Sequence, residues 1–273
     1  MEKLLKLFLS IIAVISLASC NQNEFTKREL AEKRYKEAIR FRQGSTPFQN
    51  GIVEAIAIDS TYPQAVYELS VAHLKRGMPH KWKPQYEKAV KLDSVTRIPW
   101  RGYLYLWFYR DYKKAIADFD ASDVLTPNFI DAPQGLSVDA WRGIAYLGLK
   151  NYEKSIFYFD KYIDKEIADF SENSVDVTAF LYQGIAYLEL ENYPKALACF
   201  NKLIKNNYSF SADGKYYKAL ILAKQGKTAE ANTMIDAAIK DFNDGYYNKR
   251  PYVETLRQLY LEDLLILKAS LTT

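Results

Sequence analysis

The chain has 273 residues, long enough to bury a substantial core as one elongated domain or two compact ones. Hydrophobic residues make up 49% of it, which excludes a disordered polypeptide, and eleven Gly and nine Pro are too few for a loop-rich β protein. The formal charge is only +4, with both signs interspersed, so the footprint of a nucleic-acid-binding protein is absent.

The chain opens with Lys3 and Lys6, followed by an uncharged apolar stretch from Leu7 to Ala18 that ends in Leu17-Ala18-Ser19-Cys20. That stretch is too short to span a bilayer, which needs about 20 residues, and has the length of a signal-peptide core. The four closing residues resemble the lipobox of bacterial lipoproteins. The resemblance implies a leader over 1–19, cleavage before Cys20, and acylation of that cysteine as the lipid anchor. Asn21 stands where an aspartate would favour the inner membrane of enterobacteria, so the resemblance also implies the outer membrane of a bacterial cell envelope, on a face left open. Residues 20–25 form the tether. Thr26-Lys27-Arg28-Glu29 reads as a capping box that opens the first helix.

From there the chain repeats itself. Residues 143–163 and 184–204 share twelve of 21 positions, including Gly143/Gly184, Tyr146/Tyr187, Asn151/Asn192 and Phe159/Phe200. The unit resembles the tetratricopeptide repeat, with Phe180, Gly184, Tyr187, Ala196 and Phe200 at its signature positions and Gln183 departing from the usual Leu. Weaker copies surround it: Ala55 in the first, Leu69, Ser70, Tyr86 and Ala89 in the second, Ala115, Phe119 and Pro127 in the third, and Ala219, Ala231 and Ala238 in the sixth. The resemblance implies an all-α fold: an α-solenoid of about five to six helix-turn-helix repeats over 26–245, with a capping segment over 246–273. Within that segment Thr255 to Lys268 reads as a terminal helix on the stripe Leu256, Leu259, Tyr260 and Leu264. The long Ala115-to-Ser155 spacing holds Pro127, Pro133 and Gly135 and predicts a loop, whereas Asp164–Ser171 lacks Pro and Gly and predicts a longer second helix.

In this family the first helices of successive pairs line a groove for an extended or helical peptide. The third copy's first helix, Ile98 to Tyr109, is apolar on two sides. Pro99, Tyr103 and Leu106 suit the core, while Trp100, Leu104, Trp107 and Phe108 form a second stripe that is either groove or core. Corresponding positions are Tyr67, Val71 and Leu74 before it, and Ala140, Ile144 and Leu147 after it, with Lys75, Arg101 and Arg142 expected near the rim.

No phosphate-binding loop, nucleophile elbow, zinc-protease helix, paired-cysteine or calcium-loop pattern occurs, and two histidines, His73 and His80, stand without a ligand cluster. Cys199 sits in the apolar run Ala198-Cys199-Phe200 and reads as a small buried residue. No catalytic residue, metal or cofactor is expected. The reading is a non-enzymatic, lipid-anchored scaffold that binds a protein or peptide partner in the envelope, with no nucleic acid. The alternative is a cell-surface lipoprotein of nutrient uptake whose tryptophans stack on carbohydrate.

Overall fold

The computed structural model describes residues 25–271, which divide into two compact units at Asp93/Ser94. The leader over 1–19, Cys20 and all of the tether but Phe25 lie outside the described residues. Among the described residues there are thirteen α-helices and no strand.

The first unit holds α1 (Lys27–Ala38), α2 (Thr46–Ile58), α3 (Pro63–Lys75) and α4 (Pro79–Leu92), paired as two hairpins. The capping box expected at Thr26 forms: its hydroxyl accepts the Glu29 amide at 3.2 Å, and the Glu29 carboxylate accepts the Thr26 amide at 2.7 Å. Helices α2, α3 and α4 carry proline in their first turn, where the missing N–H costs nothing. Phe48, Ile52, Ala55 and Ala65 pack with Ala38 as the core. His73 is half-buried on α3, and burial lowers its pKa.

The second unit holds α5 (Ser94–Leu104), a π-helical turn over Tyr105–Tyr109, α6 (Tyr112–Leu125), α7 (Val138–Gly148), α8 (Tyr152–Asp169), α9 (Val177–Glu189), α10 (Tyr193–Asn206), α11 (Ala212–Lys224), α12 (Thr228–Asn243) and α13 (Leu261–Ser270). The first eight of these helices pair as four successive hairpins. Each of the first three turns in the same way. A residue in the left-handed region (Arg110, Lys150, Glu191) reverses the chain. The next side chain (Asp111, Asn151, Asn192) then caps the second helix by accepting the backbone amide three residues later, at Lys114, Lys154 and Lys195. Gly226 takes the left-handed position in the fourth.

Close approach inside each hairpin depends on one small residue facing one ring. A Cβ placed on Gly102, Gly143 or Gly184 would lie 2.6 Å, 2.8 Å and 2.6 Å from the rings of Phe119, Phe159 and Phe200 respectively. All three rings are fully buried. Gly184→Ala is therefore expected to cost about 1–3 kcal/mol by overpacking, measurable as a lower urea midpoint. An unchanged midpoint would show that Phe200 gives way freely.

The two irregular spacings resolve as the sequence suggests. Helix α8 has 18 residues against 14 in α6 and α10, and residues 126–137 form a connection that includes a 3-10 turn at Pro133–Gly135. Cys199 is buried, its Sγ 3.3 Å from Gln183 Oε1, and burial pushes the thiol up to about 12. The terminal helix differs from its expectation. It begins at Leu261, where Tyr260 and Asp263 form the capping pair, and Thr255–Tyr260 is not helical. Leu259 still reaches the apolar cluster of Ala219, Ile235 and Leu264, so the stripe buries its leucine from an extended chain.

Candidate functional site: the inner helical face and the C-terminal strap

The first helices α7, α9 and α11 are neighbours and, with α5, present one face of the second unit. At its α5 end stand three aromatic rings. Trp141 is fixed by donating its indole N–H to the Pro133 carbonyl at 2.9 Å. Tyr103 and Trp107 each meet Trp141 edge-on, with centroids 5.3 Å and 6.0 Å away. Trp107 lies within the π turn, a departure from α geometry that occurs often at functional sites. The three rings hold one another before any guest is considered.

The occupant of this face is the chain itself. Residues 244–260, between α12 and α13, form a strap that crosses the inner helices and returns. The Ala212 amide donates to the Tyr246 carbonyl at 2.8 Å, and the Asn248 amide donates to Asp213 Oδ2 at 2.7 Å. The Asn248 side-chain amide reaches the Tyr182 hydroxyl at 2.9 Å. The Arg250 guanidinium then lies 4.3 Å from the Trp107 ring centroid, 5.1 Å from that of Trp141 and 5.5 Å from that of Tyr103. Tyr252, in the left-handed region, turns the strap. On the way back the Glu254 and Thr255 carbonyls accept Arg110 Nη2 at 2.6 Å and 3.2 Å, and Arg257 pairs with Glu189 at 2.6 Å. Gln258 donates to the Asn248 carbonyl at 3.2 Å, joining the two arms. Asp213 is buried, and burial raises its carboxyl to about 6 although the Asn248 amide favours the anion.

The residues expected to line the groove fall into both units. In the first, Tyr67 meets Tyr86 edge-on at 5.8 Å, Val71 is half-buried, Leu74 is buried, and the exposed Lys75 donates to Gln43 at 2.6 Å. In the second, Leu104 and Ile144 are buried, Phe108 and Trp100 are half-buried, and Trp107 is buried beneath Arg250. The two arginines expected at the rim point elsewhere. Arg101 makes a two-pronged pair with Asp118 of α6, at 2.7 and 2.8 Å. Arg142 is buried between α6 and α7, bonded to Asp120, Asp123, Asp139 and the Phe119 carbonyl. The acidic second helix of that hairpin attracts both cations away from the inner face. Asn248, Arg250 and Arg110 escaped the sequence reading. The available signal was Gly245 and Pro251 bounding a Tyr/Asn/Arg-rich stretch too long for a simple turn.

Among the described residues no His, Cys, Asp and Glu cluster could hold a metal ion, and no helix is long and apolar enough to cross a membrane. No curated protein matches the chain in sequence. Among solved structures, PilW, described as a widely conserved type IV pilus biogenesis factor, superposes with a TM-score of 0.62 at 13% identity, over 79% of this chain and 94% of its own. PilF of Pseudomonas aeruginosa gives 0.61 at 15% identity, over 80% and 97%. YrrB, described as a TPR protein with an unusual peptide-binding site, gives 0.51 at 19% identity, over 71% and 93%. These likenesses share the fold. Two family models for the tetratricopeptide repeat match the sequence itself, at 140–164 and 181–246. The hairpins α7/α8, α9/α10 and α11/α12 are therefore tetratricopeptide repeats.

Proposed function

We propose that this chain is a non-enzymatic interaction scaffold, held at a bacterial outer membrane by lipid on Cys20, whose inner helical face receives an extended segment of a partner protein. One observation carries the reading: that face already holds an extended polypeptide, the strap, through a carboxylate, a tyrosine hydroxyl, an arginine and an aromatic box. Backbone amide and carbonyl groups of the strap are recognised as well as side chains, which is the chemistry of peptide binding. The carbohydrate alternative needs an open aromatic platform, and Trp107 and Trp141 are only 3% and 2% exposed.

The tether and the scaffold are tested together. Cells fed a palmitate analogue should label the wild type and not Cys20→Ala, and only the wild type should sediment with membranes, since two acyl chains anchor firmly. Affinity capture from detergent-solubilised envelopes should then recover a discrete polypeptide absent from a tag-only control. Recovery of unlabelled, freely soluble wild type would dispose of the tether. Capture of nothing beyond the control would dispose of the scaffold.

A further inference from the structure

The strap closes the aromatic box with one cation. Arg250 is half-buried, yet among the described residues it has no carboxylate within ion-pairing distance, and its Nε is shielded without a hydrogen-bond partner. The Trp107 indole nitrogen is buried without a partner too. The guanidinium is thus held by ring faces and not by an ion pair. The strap also carries left-handed Tyr252 and Arg257, conformations that cost a non-glycine residue energy. Clefts of about 410 Å³ along Leu220, Tyr216 and Arg257, and of about 140 Å³ between Ile144, Tyr182 and Arg250, remain open beside it.

The box, in contrast, is rigid. Its rings brace one another, and Pro133 fixes Trp141. A preformed receptor closed by an internal guest has the form of a site with a built-in competitor. Deepening the scaffold reading, on which it rests, we infer that the Tyr103–Trp107–Trp141 box is a recognition pocket for an arginine side chain of a partner polypeptide, closed here in cis by Arg250. The incoming segment is extended, presents arginine to the box and, two residues earlier, an amide side chain to Tyr182 and a backbone N–H to Asp213, and displaces the strap. Arginine suits the box better than lysine, because its planar, weakly hydrated guanidinium stacks on indole faces.

The probe is a synthetic, dye-labelled peptide of sequence 245–258, titrated into the full chain. Closure in cis lowers the wild type's apparent affinity by the fraction of open molecules. Arg250→Ala is therefore expected to bind the peptide roughly ten-fold or more tightly than the wild type does. The same peptide with alanine at the position of Arg250, its second arginine (Arg257) unchanged, should bind neither protein. Hydrogen exchange on the wild type supplies a readout independent of any variant: the Asn248 and Thr255 amides should exchange much faster than the amides of α9. A folded Arg250→Ala that gains no affinity, equal binding of the arginine and alanine peptides, a failure of Arg250→Ala to fold, or strap amides as protected as those of α9 would each overturn the inference. Any of these outcomes leaves capture from envelopes free to succeed, so failure of the pocket is distinguishable from failure of the scaffold.

Discussion

Truncating Arg142 to Ala is expected to lower the unfolding free energy by about 3 kcal/mol, the lower end of what breaking a buried ion pair costs. The guanidinium is 1% exposed, and burial opposes its charge, yet the carboxylates of Asp123, Asp139 and Asp120 outweigh that and keep it protonated. Two of those carboxylates matter little to the cost, since Asp120 and Asp123 are 58% and 49% exposed and water replaces their partner. Asp139 is different. Its side chain is 3% exposed and would keep only Lys161, at 3.0 Å. The Phe119 carbonyl, inside the helix, would also lose Arg142 as a second donor, now at 2.5 Å. The double variant Arg142→Ala/Asp139→Asn should recover more than half of the loss, because it removes the stranded charge. Urea unfolding followed by tryptophan emission is well placed to measure this. Three of the four tryptophans, Trp100, Trp107 and Trp141, lie in the second unit, and only Trp82 lies in the first. A single-variant loss below about 1 kcal/mol would mean that the network is no more than a solvated cluster.

Arg142 also shows where sequence reading reached its limit. The hairpins were legible because each obeys local rules: a Gly or small residue facing a Phe, an Asn or Asp cap at the turn, an extra helical stretch between Asp164 and Ser171. Every one of these lies within a single repeat. The direction of Arg101 and Arg142 was harder, because it depends on Asp118, Asp120 and Asp123 of the partner helix, and a stripe on one helix does not say which neighbour a long cation prefers. The strap was illegible for a stronger reason. Asn248 meets Tyr182 across 66 positions, and Arg110 meets Glu254 across 144, so no periodicity records these contacts. Leu256 and Leu259 carry helical spacing, and only the Tyr260–Asp263 capping pair reveals that the helix waits until Leu261.

Whether the aromatic stripe is core or groove has a measurable answer at Trp107. Trp107→Ala is expected to cost about 3–5 kcal/mol, the range for deleting a buried large aromatic, while the half-buried Trp100→Ala should stay within about 1 kcal/mol of wild type. Stability alone does not separate the roles, since a purely internal tryptophan would cost as much. Trp107, however, touches both Trp141 and Arg250, and its loss removes the nearest ring of the box. Arg142→Ala provides the control: it weakens the same unit through the α6/α7 contact and leaves the box intact. Compared with that variant, Trp107→Ala should show faster hydrogen exchange at the Asn248 and Thr255 amides, which bond Asp213 and Gln258, even though both variants weaken the α9 helix to a similar extent. Equal strap exchange in the two would assign Trp107 to the core alone. Selective release of the strap would mean that one side chain both completes the hairpin's interior and forms the floor on which a guest arginine rests, so the π turn that aims it belongs to the binding face as much as to the fold.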